Sequence, residues 1–441
     1  MKLKKIELTN FRAFDSLSLE LEPDFTVLVA WNGQGKTSVL DGLARGLGPF
    51  LTRLPKISGI RTKNTDLKLD EAGKLRPYLR IALETTSGIE WDITDRRDKT
   101  KKTTETIPSA KGVKALNEWV DSFIDSENDD SPYSLPVIAY YGTGRGVFDN
   151  IPEPKLSFHK TGSRFEAFSG SLNSRVNFKQ FFERFFNLED EERRAMEKHR
   201  DFDYCLPALE AIRQAISGNG KREGLLPEFS NPRTQTNPAD FLVDWKKPDG
   251  HTETLSILQL SDGFRTTLAM VMDIASRMAT ANPEADDILA TPGVVMIDEI
   301  DLHLHPDWQQ RILPDLHRTF PNVQWIVSTH SPQIVSTVAS EKLRIINNGQ
   351  LYSAAPGTQG AEASRILKRI FGVEQRPQND PNTILLNQYL DLVYADQWNT
   401  PEAIDKRQQL DAVFQGEESA LTEADLHIEN RQWELDGEED R

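Results

Sequence analysis

The chain has 441 residues, 38% of them apolar and 27% charged, with a formal charge of −16. That length can bury a sizeable core and more than one lobe, and the acidic balance excludes non-specific nucleic-acid binding through overall charge. No apolar run is long enough to span a bilayer, and Met1-Lys2-Leu3-Lys4-Lys5-Ile6 passes into strand-like alternation without a signal-peptide core, so a soluble, cytoplasmic protein with no membrane association is expected. The one cysteine, Cys205, lies among apolar neighbours in "DFDYCLPAL" and is expected to be a buried structural thiol.

From the start, "KLKKIELTNFRAF" and "LSLELEP" alternate as an antiparallel pair of half-buried strands, and "FTVLVA" reads as a strand covered on both faces. Val39, Leu40, Leu43 and Leu47 then fall on one side of a helix expected to stop at Gly48-Pro49. "LRIALETTSGIEWDIT" predicts more sheet, followed by a basic cluster at Arg96, Arg97, Lys99, Lys101 and Lys102. A solvated hairpin tip is the simpler reading of that cluster, and a phosphate-backbone contact the alternative.

A polar break, "DSENDDSPYS", leads to the buried strand "LPVIAYY" and a glycine-rich loop. Phe178, Phe181, Phe182, Phe185 and Phe186 recur at helical spacing, as core rather than as a stacking platform, since charges fill the helix's other face. "DFLVDWKKPDGHTETLSI" predicts a hairpin turning at Pro248-Asp249-Gly250. There is no internal repeat and no sustained heptad pattern, which argues against long coiled-coil arms.

Chemistry concentrates in four stretches. "AWNGQGKT" lies between strand and helix as a phosphate-binding loop does, with Asn32, Gly33, Gly35, Lys36 and Thr37 supplying backbone N–H groups, a cation and a magnesium-binding hydroxyl. Ala30 stands where the motif expects glycine; if that position needs a positive φ, the cost is about 1–2 kcal/mol, too small to abolish binding. More than two hundred residues later, "GVVMIDEIDLHLHP" ends an apolar strand in Asp298 and Glu299, suited to magnesium coordination and to polarising water. "VQWIVSTHSPQ" ends another strand at His330, placed for the γ-phosphate or the water.

Between these, Ser261-Asp262-Gly263 precedes a helix whose face is Leu268, Val271, Met272, Ala275 and Met278, forming a second anion-binding end. Two such ends with one set of acids favour a head-to-tail pair of subunits. His303 and His305 have a metal-binding spacing, but two ligands on one segment are too few for a site.

In this order, "NFRAF", "NGQGKT", "LSDGF", "MIDEIDLHLHP" and "STHSP" resemble the ABC-type ATPases of the RecF/SMC-like group, and most of all the compact ATPases of Septu-type and retron-linked anti-phage defence. The resemblance implies an α/β ABC-type head: a mixed sheet with a P-loop and flanking helices, an inserted helical lobe and no long coiled coil. Its expected parts are a head N-terminal half over 1–165, a helical insertion over 166–240, a head C-terminal half over 241–350, a helical segment over 351–415 and an acidic tail over 416–441.

By position, the resemblance makes Lys36 and Thr37 the Walker A lysine and magnesium ligand, Asp298 the Walker B aspartate and Glu299 the catalytic glutamate. Ser261 and Gly263 match the signature that acts across the dimer, Asp301 the D-loop and His330 the switch histidine. The implied cofactors are ATP and Mg2+. The loop after "VIAYY" has no glutamine where the family has its Q-loop; Thr143 and Arg145 are the substitutes at hand. The implied function is hydrolysis that controls dimerisation and a separate effector, an HNH-type nuclease, together with a retron reverse transcriptase and its DNA. The alternatives are a RecF-like DNA-structure binder using Arg53, Lys56, Arg61, Lys63 and the Arg96 to Lys102 cluster, and a non-hydrolysing scaffold. The apolar C-terminal stretches are expected either to pack on the head's own core or to dock the partner nuclease.

Overall fold

The computed structural model describes residues 1–97, 106–144, 163–174 and 178–439. Lys99, Lys101, Lys102 and Arg145 lie outside these. The described chain divides into two units, Met1–Ile366 and Leu367–Arg441.

In the first unit, β1 (Leu3–Phe11) and β2 (Phe14–Glu20) pair antiparallel with Leu8 opposite Leu17, so their alternating apolar residues share one face, as the sequence predicts. β3 (Phe25–Ala30) is buried at every residue. After the phosphate loop come α1 (Lys36–Gly46) and α2 (Gly48–Arg53). The first helix ends just ahead of Gly48-Pro49, as the sequence predicts, and Pro49 then occupies the opening turn of a second helix, where its missing N–H removes no hydrogen bond.

β4 (Tyr78–Thr85) and β5 (Glu90–Arg96) complete a four-stranded antiparallel sheet in the order β2-β1-β4-β5. A further helix, α3 (Val113–Asn128), runs into the stretch expected as a polar break, and buries only Leu116 and Val120.

β6 (Val137–Tyr141) is fully buried. Next come α4 (Lys179–His199), α5 (Pro207–Ser217), a short ribbon of β7 (Gly218–Asn219) and β8 (Arg222–Glu223), and a three-stranded sheet of β9 (Phe229–Thr236), β10 (Ala239–Lys246) and β11 (Thr252–Ser256). The hairpin between β10 and β11 turns at Gly250, whose φ is 87°. Phe181, Phe182 and Phe185 all pack on Phe241 of β10 with ring centroids 5.0–6.2 Å apart, so the phenylalanine stripe is core. Cys205, expected to be buried, is exposed: it sits in the loop between α4 and α5, where Asp201, Phe202 and Asp203 also face solvent.

α6 (Asp262–Ala281) is buried on nearly all sides, the mark of a central helix. β12 (Gly293–Ile297), α7 (Pro306–Thr319), β13 (Val323–Thr329), α8 (Pro332–Val335), β14 (Leu343–Asn347) and β15 (Gln350–Ser353) follow. The main sheet has the order β15-β14-β3-β13-β12-β6, parallel throughout except for the edge strand β15. Val29 pairs with Thr329, and Ile297 pairs with both Val327 and Tyr141, so β3, β13, β12 and β6 end side by side.

Two polar links lock the sheets and the loop helix together. Gln324, fully buried on β13, exchanges hydrogen bonds of 2.7 Å with both the N–H and the carbonyl of Leu3. Arg12, in the "NFRAF" turn, pairs with Asp41 of α1 at 2.5 Å and with Asp66 at 2.9 Å, and Asp66 also takes Arg45 at 2.8 Å.

The second unit contains α10 (Pro381–Tyr394), α11 (Pro401–Phe414) and α12 (Ser419–Glu439), while α9 (Ala363–Arg369) crosses the boundary between units. Leu386, Tyr389, Val393, Ala403, Leu410, Leu421 and Ala424 form a core of its own. The acidic end over 416–441 contains the helix α12: Leu421, Ala424 and Ile428 recur on one face against that core, and Glu418 accepts the Ala420 N–H and pairs with Arg376.

The fully buried Asp66 is the hinge of the Arg12 and Arg45 network, so Asp66→Ala strands two partly buried guanidinium groups. A loss of roughly 3–5 kcal/mol of stability is expected, read as a lowered midpoint in urea unfolding.

Candidate functional site

The four parallel strand ends place their loops along one edge of the main sheet, the edge at which parallel sheets present ligand-binding groups. At β3 the chain enters the phosphate loop. Gly33 and Gly35 take positive φ values of 79° and 102°. A Cβ on Gly35 would lie 2.7 Å from the Phe14 ring, so position 35 excludes a side chain by conformation and by space. Ala30 is the last residue of β3 and is not among the positive-φ residues. Alanine there carries no left-handed strain; the loop makes its left-handed turns three and five residues later, at Gly33 and Gly35.

Lys36 is almost fully buried, and its Nζ donates to the Ala30 carbonyl at 2.9 Å. Burial lowers its pKa from the ordinary lysine value, while Asp298, Glu299 and Asp301 pull it back up. Thr37 Oγ1 donates to Asp298 Oδ2 at 2.7 Å, a contact between residues 261 apart in sequence. Asn32 is exposed, as is Trp31 beside it, 60% accessible despite its size.

On the acid side, Asp298 is 1% exposed and its N–H donates to the Tyr141 carbonyl at 2.8 Å, one step beyond the β12–β6 ladder. Ser328 Oγ donates to Asp298 Oδ1 at 2.5 Å and accepts the Glu299 N–H at 2.7 Å. Glu299 has φ 49°, unusual for a residue other than glycine. Asp301 Oδ1 accepts Thr329 Oγ1 at 2.6 Å and the His330 N–H at 3.3 Å. His330 is partly buried, and burial followed by the charge on Lys36 lowers its pKa below 6.5, against the pull of Asp301, Glu299 and Asp298.

Lys36, Thr37, Asp298, Glu299, Asp301 and His330 thus share one neighbourhood, joined by hydrogen bonds and mutual electrostatics. The Ser261-Asp262-Gly263 turn has other neighbours within the chain. Ser261 and Asp262 are exposed at the start of α6, and Asp262 pairs with Arg265 at 2.5 Å. A Cβ on Gly263 would lie 2.3 Å from the His303 carbonyl, so this turn rests on the loop that follows Asp301. His303 is exposed with φ 64°, and His305 caps α7 by accepting the Asp307 N–H at 3.4 Å. Thr143 is exposed beyond the end of β6.

Sequence reasoning missed the residues that orient this set. Ser328 and Thr329 hold the acids, Tyr140 donates to Asp41 at 2.9 Å, and Tyr141 donates to Asp273 at 2.8 Å, which also pairs with Arg277. The available signal was the run "VSTH" itself, two hydroxyls directly before His330 at a strand end.

Oxygen donors beside a lysine suit a hard divalent cation bound to phosphate: a threonine hydroxyl and an aspartate carboxylate at one end, a histidine at the other. Comparison with known proteins decides the family. AAA-domain models match residues 5–219 and 184–336. The Escherichia coli protein named "Retron Ec83 probable ATPase" is 32% identical over all of this chain and 89% of its own.

This chain belongs to the ABC-type ATPases of retron and Septu defence systems.

The Vibrio cholerae "Retron Vc95 probable ATPase" is 27% identical to this ATPase over 79% of the chain and 74% of its own. "Septu protein PtuA" of Bacillus mycoides matches at 42% identity over 17% of this chain and 10% of its own. No helix among the described residues is long and apolar enough to cross a membrane.

Two outcomes test the site. Because Ala30 is unstrained and Gly35 is not replaceable, Ala30→Gly leaves ATP affinity unchanged while Gly35→Ala abolishes it, measured by calorimetry. Because the His330 pKa is depressed below 6.5, the imidazole stays neutral at pH 7 and gains its proton only in more acidic solution. An NMR titration of the His330 imidazole is therefore expected to show a midpoint below that of a free histidine, and an unshifted or raised midpoint would contradict this environment.

Proposed function

We propose that this ATPase binds Mg-ATP at the sheet edge, pairs head to tail with a second copy around the nucleotide, and through hydrolysis controls a separate effector. The reading rests chiefly on one observation: Thr37, beside the phosphate-loop lysine, is hydrogen-bonded to the strand-end Asp298.

Thr37 and Asp298 would hold a magnesium ion, which when bound would supply Lewis-acid neutralisation of the phosphate oxygens. Asn32, Gly33, Gly35 and Lys36 cradle the phosphates, with Lys36 exchanging the Ala30 carbonyl for an anionic oxygen. Glu299 accepts a proton from the attacking water, and neutral His330 donates a hydrogen bond toward the terminal phosphate. Ser261 and Asp262, exposed at the start of α6, with Gly263 packed on the His303 carbonyl, and Asp301 in the loop just before His303 complete the partner copy's site.

The effector in this proposal is an HNH-type nuclease, acting with a retron reverse transcriptase and its DNA. Membership among retron and Septu ATPases supports a role inside a multi-component defence system. A RecF-like role through Arg53, Lys56, Arg61 and Lys63 is less favoured, since Arg53 is already held by both oxygens of Asp121 at 2.6 Å.

The defining experiment pairs ATP binding with phosphate release. Lys36→Ala loses binding; Glu299→Gln keeps binding but slows hydrolysis on the order of 100-fold or more. Mixing a Ser261→Arg chain with a Lys36→Ala chain restores one working site per pair and part of the activity. Wild-type turnover in Lys36→Ala would overturn the proposal.

A further inference from the structure

We propose that Ser328 is the positioning residue of the hydrolytic site, aiming Asp298 and Glu299 together through a single hydroxyl; this rests on the ATPase reading above. A serine hydroxyl has one proton to give and lone pairs to receive. Here the proton goes to Asp298 Oδ1 and a lone pair takes the Glu299 N–H. With Thr37 donating to the opposite oxygen, Oδ2, the plane of the Asp298 carboxylate is fixed from two sides.

Glu299 is gripped as firmly. Its own N–H goes to the Ser328 hydroxyl and the next N–H, of Ile300, goes to the Ser328 carbonyl at 3.0 Å. One residue thus spans both sides of a glutamate in the left-handed region, with φ 49°. The regular ladder of β12 against β13 ends at Ile297 opposite Val327, whereas Ser328 stays inside β13, opposite Leu28 of β3, and meets the chain just where it leaves β12. Its hydroxyl accepts the Glu299 N–H at the residue whose left-handed φ takes the chain out of β12. Ser328 is fully buried, so no water competes for its hydroxyl.

Alanine at 328 keeps the backbone carbonyl and its bond to Ile300 but removes the donor to Asp298 Oδ1 and the acceptor of the Glu299 N–H. Threonine keeps the hydroxyl. In nucleotide-free protein, Ser328→Ala is expected to lose hydrogen-exchange protection at the amide of Glu299, and Ser328→Thr to retain it. With nucleotide, Ser328→Ala lowers kcat by roughly 10–100-fold and raises the magnesium concentration needed for half-maximal rate. ATP affinity measured without magnesium stays at the wild-type value, and Ser328→Thr recovers the rate.

Equal rates and equal magnesium dependence in wild type and Ser328→Ala overturn the proposal, as do equal losses in the alanine and threonine variants. If Ser328→Ala does not fold, Ser328→Cys, of similar shape and weaker donor strength, takes its place with the same expected order. Should the wild type release no phosphate at all, the ATPase reading falls; retained Glu299 protection in Ser328→Ala then overturns this inference separately.

Discussion

The carboxylate of Asp298 lies between two hydroxyls, Thr37 on one side and Ser328 on the other, with its amide bonded to the carbonyl of Tyr141. Four segments separated by up to hundreds of residues meet at this one group. They meet because β3, β13, β12 and β6 lie adjacent and parallel, so that their carboxyl ends finish in register. A parallel arrangement needs long crossovers: the one from β3 to β6 carries β4 and β5, and the one from β6 to β12 carries α4, α5 and the three-stranded sheet. Burying an acid to 1% exposure is unfavourable unless several donors satisfy it, and the constellation around Asp298 supplies them.

From that group, rigid connections run outward. Tyr141 joins the acid edge to α6, for its hydroxyl reaches Asp273, and burial beside that carboxylate pushes the phenol pKa well above its ordinary value. The phenol therefore keeps its proton and acts as a permanent donor. α6 begins at the Ser261-Asp262-Gly263 turn, which in turn rests on the loop after Asp301, itself tied to Thr329. On the other flank, Arg12 fixes the "NFRAF" turn to α1, and Tyr140 meets the same Asp41 from β6. Both sides of this sheet edge are thus braced by buried or half-buried polar contacts.

Much of this was legible in the chain itself. Unbroken apolar runs such as "FTVLVA" and "GVVMI" announced strands covered on both faces, and acids or hydroxyls directly after them announced a ligand edge. The Ala30 departure looked like a possible penalty because the motif names a glycine there; only backbone geometry shows that the left-handed turns fall at Gly33 and Gly35. The bracing pairs were not legible, since nothing in local sequence says that Arg12 will face Asp66 or that Gln324 will bond to Leu3. Cys205 was misjudged because apolar neighbours in sequence are not neighbours in a loop that faces solvent. The helix in the acidic tail was not legible either, since net charge hid the spacing of Leu421, Ala424 and Ile428, which is enough to seat a helix on a small core.

The central claim is that Thr37 and Asp298 together hold the metal of a bound nucleotide whose phosphates displace the Ala30 carbonyl from Lys36. A crystal structure with magnesium and a non-hydrolysable ATP analogue tests it most directly. The account predicts a metal about 2.1 Å from Thr37 Oγ1, Asp298 alongside, and Lys36 Nζ moved onto phosphate oxygen. A nucleotide seated elsewhere, with the Lys36 to Ala30 and Thr37 to Asp298 hydrogen bonds unchanged, would contradict it.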